Sequence, residues 1–176
     1  VGVELYGYYA YANNWYVMLT PVAAWGMQEV LISEYTRRGA ADQQALARAG
    51  LSIRMLIGSA VALIVVLAAC CFEPEPELRL LIIIYSQGIL VRGIGNWFCG
   101  LFIAREKSIY WLSIIIPCLT LEVALALLLA HQGQGLMAIA IAQCAVWWLT
   151  AFLAWLTYRA RFEPVHLRLD KQLVSF

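Results

Sequence analysis

Charge is what this sequence has least of. Asp, Glu, Lys and Arg make up 13% of its 176 residues, about half the share of a soluble globular domain. That shortage excludes an ordinary water-facing surface and the basic tracts that a nucleic-acid partner needs. Histidine is scarce as well: His131 and His166 fall in a loop and a tail. The five cysteines (Cys70, Cys71, Cys99, Cys118, Cys144) lie in or at the end of apolar runs without paired metal spacing, so they read as small apolar residues. No metal site and no cofactor is expected. A nucleophile elbow and a phosphate loop are both missing. The acidic run Glu73-Pro-Glu-Pro-Glu77 is a proline-locked turn without a partner base. The chain is therefore not expected to be an enzyme. It also lacks an initiator methionine, opening on Val1 and stopping at Phe176 on a tail, which reads as a piece of a longer protein.

What is present is hydrophobic: 63% of residues are apolar and the mean hydropathy is +0.76. A bilayer-crossing helix needs about 20 mostly apolar residues, and five runs qualify: 6–26, 51–72, 80–104, 110–130 and 136–158. The expected fold is an all-α polytopic membrane bundle over 1–158, with a basic amphipathic tail at 159–176 on the membrane surface. Residues 37–48 read as a polar connection, and the first span is expected to run on as helix, kinked at Pro21, to about Arg38. Tyr6, Tyr8, Tyr9, Tyr11, Trp15 and Tyr16 suit a headgroup belt, with sugar stacking by one or two of them as the sharper alternative. Asn14, Met18, Pro21, Trp25 and Gln28 share a stripe that reads as an inward face.

The basic residues divide unevenly. Arg37, Arg38, Arg48, Arg105, Lys107, Arg159, Arg161, Arg168 and Lys171 fall on one side of the spans. Arg79 stands alone on the other, among Glu4, Glu73, Glu75 and Glu77. The positive-inside rule then puts the N-terminus outside and the tail in the cytoplasm, which implies a preceding helix.

Within the third span, Arg92 shares a face with Gly88, Gly95, Asn96 and Cys99, while Ile83, Leu90, Ile94 and Leu101 form the opposite face, expected to meet lipid. A charge inside a span turns toward a bundle interior or a cavity. Glu122, central in the next span, lies at matching depth, so an Arg92–Glu122 pair is geometrically available. Paired, the two are structural or a gate; unpaired, they line a polar lumen. Arg54, one turn inside the second span, is expected to snorkel back to the interface, with a role in a cavity as the alternative. Asn14, Gln28, Asn96 and Gln143 are the weaker candidates, as hydrogen-bonding groups for sugars.

Several stretches resemble one family. They are Val3-Glu4-Leu5-Tyr6-Gly7-Tyr8-Tyr9, Pro21-Val-Ala-Ala-Trp25-Gly26-Met27-Gln28-Glu29 through Ser33-Glu34, Gly50-Leu-Ser-Ile-Arg54, and Trp97-Phe98 ahead of Arg105. In the tail they are Phe162-Glu-Pro and Leu167-Arg-Leu-Asp170. Together these are similar to helices two to six of Wzx-type oligosaccharide flippases, a branch of the superfamily that also holds multidrug extruders. Two positions depart: Ser33 stands where many relatives carry arginine, and Arg92 near where several carry an acid. The resemblance implies most of one six-helix lobe of a two-lobe transporter in the bacterial inner membrane. Its cargo would be a polyprenyl-diphosphate-linked oligosaccharide for surface polysaccharide, carried by alternating access. It also implies a polysaccharide polymerase and chain-length regulators as partners beside membrane lipids. Arg54, Arg92 and Glu122 would be the lumen charges, Arg54 being best matched to a recurring family arginine. The rivals are a cation-coupled antiporter of the same superfamily, for which Glu122 would stay unpaired, and a non-transporting assembly subunit. For the subunit, Gly88, Gly95 and Gly100 would mark a partner helix.

Overall fold

Proline and glycine punctuate the chain where its helices start and stop. The structure, a computed structural model, describes residues 3–24, 27–37 and 39–162. Among these are six helices and no strand: α1 Val3–Ala24, α2 Met27–Arg37, α3 Ala40–Phe72, α4 Pro76–Ala104, α5 Ser108–His131 and α6 Leu136–Arg161. Pro74 lies just past the end of α3, where its missing N–H and its ring oppose continuation. Pro76 opens α4 at its first position, where no N–H is needed. Arg79 closes the loop between them, donating from Nε and Nη2 to the Glu73 carbonyl at 3.1 and 2.7 Å. α5 ends on Gly133, whose φ of +70° lets the Gln134 N–H reach back to the Leu129 carbonyl at 3.0 Å.

The expected all-α membrane fold is what the chain adopts. α3 (from Asp42), α4, α5 and α6 are each long and apolar enough to cross a bilayer. α1 falls outside that set, because tyrosine and asparagine dilute its apolar content.

The first span was expected to run on as helix to about Arg38; α1 passes through Pro21 to Ala24 and α2 is helical from Met27 to Arg37, with residues 25–26 outside the described residues. One boundary differs from expectation: 37–48 is not a connection. Ala40 to Gly50 forms the opening three turns of a 33-residue helix, because its Ala, Gln and Leu content favours helix and Ala47 and Leu51 pack inward. At the other end α6 runs on to Arg161, and the tail from 163 lies outside the described residues.

α4 is the axis of the bundle and touches all five other helices. Its seam with α3 is antiparallel and built on glycine. A Cβ on Gly50 would fall 2.2 Å from the Trp97 ring, and one on Gly58 would fall 3.2 Å from Leu90. Between these two levels, Arg54 lies against Gly93. The Trp97 indole also donates to the Ala47 carbonyl at 3.3 Å. In lipid the helices gain little from hydrophobic burial against one another, so close packing of this kind holds them together. Leu101 is fully buried and Leu90 is packed on Gly58. The face expected to meet lipid is thus largely covered by protein. Hydropathy could not separate the two cases, since lipid and a membrane-protein core are equally apolar.

Candidate functional site

The polar residues of α4, α5 and α6 meet in the middle of the bundle. Counting along the helices at about 1.5 Å per residue, Arg92 and Glu122 both stand about 18–21 Å from the shared α4–α5 turn. Arg92 Nη2 lies 3.7 Å from Glu122 Oε2, with the arginine side chain 37% exposed and the glutamate 14%. This is an ion pair longer than a hydrogen bond. It resolves the alternatives left open by the sequence in favour of pairing.

Other donors hold the carboxylate. The Trp147 indole N–H donates to Oε2 at 3.1 Å, and the Gln143 amide donates to Oε1 at 3.5 Å. Gln143 is oriented in turn by the Tyr85 hydroxyl, which donates to its amide oxygen at 2.6 Å. Its NH2 reaches the Tyr9 hydroxyl at 3.4 Å. A buried carboxylate is tolerable only with partners of this kind.

Aromatic rings seat the arginine. Its guanidinium carbon lies 4.8 Å from the Trp147 ring centre and 5.9 Å from that of Tyr16, within the range of a cation–π contact. Tyr16 and Trp147 stack at 4.9 Å. Gly88 lies beneath the stack, where a Cβ would come within 2.3 Å of Trp147 and 3.1 Å of Tyr16. Beside the pair is a cavity of about 50 Å³, lined by Arg92, Asn96, Trp111, Cys118, Glu122 and Thr150 among others. That is room for a few waters, and too little for a sugar in this conformation.

The remaining sequence candidates fall elsewhere. Arg54 does not snorkel. It is 3% exposed, and its Nε and Nη1 are buried without a hydrogen-bond partner. The three helical turns that precede the apolar run carry it deep into the bundle, and Gly93 gives it space. Asn14 is exposed on α1, as are Met18 and Pro21. The inward face of α1 is instead Ala12, Tyr16 and Ala23, because small residues and a stackable ring fit closely onto α4. Trp25 lies outside the described residues. Gln28 belongs to α2 and packs against Gly100, not the cavity. Tyr6, Tyr11 and Trp15 are exposed as a belt requires, whereas Tyr9 and Tyr16 turn inward.

Trp147, Tyr16 and Tyr85 are the participants that sequence reasoning missed. One signal was available for Trp147: it lies eleven residues into its span, far from the interface where tryptophan is usually stationed. Among the described residues no cluster of His, Cys, Asp and Glu is arranged to hold a metal. The chain matches no described protein family, no curated protein and no solved structure.

Proposed function

We propose that this chain is part of one lobe of an alternating-access flippase for polyprenyl-diphosphate-linked oligosaccharide in the bacterial inner membrane, serving surface polysaccharide assembly. The observation that carries the reading is the Arg92–Glu122 pair beside a cavity at mid-membrane depth. Charges placed there are costly and are kept for a transport pathway or a gate. Because the pair is 3.7 Å apart and Arg92 is 37% exposed, the guanidinium retains donors for a diphosphate or an acidic sugar, which it would grip bidentately. Asn96, which lines the cavity, would supply hydrogen bonds to sugar hydroxyls. Rocking against a second lobe would open the cavity to a size that admits cargo. In this reading the arginine-rich end of the bundle faces the cytoplasm.

Two features favour this reading over its rivals. An exchanging antiporter wants a free carboxylate, whereas Glu122 is held by Arg92, Trp147 and Gln143. An assembly subunit wants a glycine face left for a partner helix. Here Gly88, Gly95 and Gly100 are filled by Trp147, Trp111 and α2 of the same chain.

The test is complementation. The full-length protein, wild type or Arg92→Ala, is expressed in a flippase-deficient strain together with its own glycan genes, at matched membrane level. Surface polysaccharide is the readout. Rescue by wild type and failure of Arg92→Ala is the expected result. Failure of well-inserted wild type overturns the flippase reading, and rescue by both removes Arg92 from the mechanism.

A further inference from the structure

A second concavity lies far from the Arg92 site, between the start of α5 and the end of α6. It is a groove of about 350 Å³ lined by Tyr110, Ser113, Ile114, Leu156, Thr157, Ala160 and Arg161. Its residues are graded along the membrane normal. Tyr110, Ala160 and Arg161 stand at the helix ends, while Ile114 and Leu156 lie about 6–8 Å further in at 1.5 Å per residue, beside the hydroxyls of Ser113 and Thr157. The charge is therefore at the outer end, and the bulky aliphatic side chains are at the inner level.

Among the described residues, the donors at the polar end make no hydrogen bond and no ion pair. Arg161 is exposed, lies 5.8 Å from the Tyr110 ring centre, and makes no ion pair with any described residue. Thr157, one turn before it on the same face, makes no hydrogen bond among the described residues. By contrast Thr150 donates to the carbonyl four residues back at 2.8 Å. The Tyr110 hydroxyl is likewise without a described partner. Arg105 at the same end is committed elsewhere. Its Nε donates to the Tyr35 hydroxyl at 2.5 Å, and its guanidinium lies 4.4 Å from the Phe162 ring centre. Arg161 is thus the cation this groove has to offer, with Lys107 and Arg159 at the same end of the bundle reinforcing the positive field.

We propose that this groove binds one anionic phospholipid of the surrounding leaflet. The phosphate sits at Arg161 and Tyr110, the Thr157 hydroxyl meets the glycerol ester region one turn further in, and an acyl chain runs inward past Ala160 along Ile114 and Leu156. Basic pockets between spanning helices at the membrane interface take anionic headgroups for this reason. Ile114 and Leu156 at the inner level account for a lipid in place of a free anion, and Leu156, 44% exposed, leaves the groove open sideways to the bilayer. The inference stands whether or not the chain belongs to a flippase.

The experiment follows thermal unfolding of the purified full chain in detergent, titrated with phosphatidylglycerol, phosphatidylcholine or inorganic phosphate. Wild type is expected to be stabilised by phosphatidylglycerol at about fivefold lower concentration than by phosphatidylcholine, the selectivity of one interfacial cation. Inorganic phosphate should do nothing. Arg161→Gln should lose the selectivity while keeping the phosphatidylcholine response, which also reports that it is folded. Ala160→Phe should lose the response to both lipids. Equal selectivity in Arg161→Gln, an equal response to inorganic phosphate, or concentration-dependent dimerisation that closes the groove to lipid would each overturn the proposal.

Discussion

Two arginines stand at nearly the same level on different flanks of α4, and they are treated very differently. Arg92, on the α5–α6 flank, is 37% exposed, paired with Glu122 and seated on two aromatic rings. Arg54, on the α3 flank, is 3% exposed, and two of its nitrogens are buried without a partner. The first arrangement is a network in which the Glu122 carboxylate is answered by Arg92, Trp147 and Gln143. The second is a charge carried into the bundle with two nitrogens lacking a hydrogen bond, and the Glu29 carboxylate of α2 attracts it without closing an ion pair. Removing a member of a hydrogen-bonded network leaves its partners stranded, whereas removing a charge without a hydrogen-bonded partner strands little. Sequence depth alone would have ranked them the other way, with Arg92 as the costly one.

That contrast can be broken at either end by substitution, with unfolding in mixed micelles as the readout. The largest effect is expected from Glu122→Ala, which leaves Arg92 and the Trp147 N–H without their acceptor. It should destabilise by about 2–3 kcal/mol, below the value for a fully buried pair because Arg92 is partly exposed. Gly88→Ala follows. Its new methyl would overlap the Trp147 ring, so the stack beneath Arg92 must shift, at about 1–3 kcal/mol. Arg92→Met should cost less, about 1–2 kcal/mol, because Glu122 keeps its two other donors. Combining it with Glu122→Leu should recover about 1 kcal/mol or more relative to the sum of the single changes. The Arg54 flank should barely respond. Arg54→Met is expected to lie within about 1 kcal/mol of wild type or above it. Gly93→Ala, whose methyl would meet Arg54 Nε at an ordinary 3.5 Å, should be neutral or gain about 0.5–1 kcal/mol from helix propensity. A large loss at Arg54, or none at Glu122, would dissolve the comparison.

Much of the architecture was legible in the sequence because a bilayer imposes lengths. The ends of α4, α5 and α6 follow from hydropathy and from Pro76, Arg105 and Gly133. Equal depth on consecutive helices made the Arg92–Glu122 pair available and left pairing and a polar lumen as alternatives, which the 3.7 Å separation decides. Rotation was not legible. Nothing in an aliphatic run says which side is lipid and which is protein, so Leu101 and Leu90 were expected outside, whereas Leu101 is buried and Leu90 is half-buried against Gly58. On α1 the exposed face carries Asn14 and Met18, whereas Tyr16, about 200° around from Asn14, turns inward. Arg54 was misread because the start of hydrophobicity was taken for the start of the helix. α3 begins eleven residues earlier, at Ala40, and those turns carry Arg54 away from the interface.

The central claim is that the α4–α5–α6 flank is a water-accessible wall of a transport pathway, and thiol accessibility tests it most directly. Asn96→Cys, beside the pair, and Leu101→Cys, fully buried in the α4 packing, are placed one at a time in a cysteine-free background. Each is then exposed in intact membranes to a charged, membrane-impermeant thiol reagent. The account predicts rapid labelling at position 96 and none at position 101. Equal protection of both positions from either side of the membrane would contradict it, because the Arg92 face would then be closed packing and not the wall of a pathway.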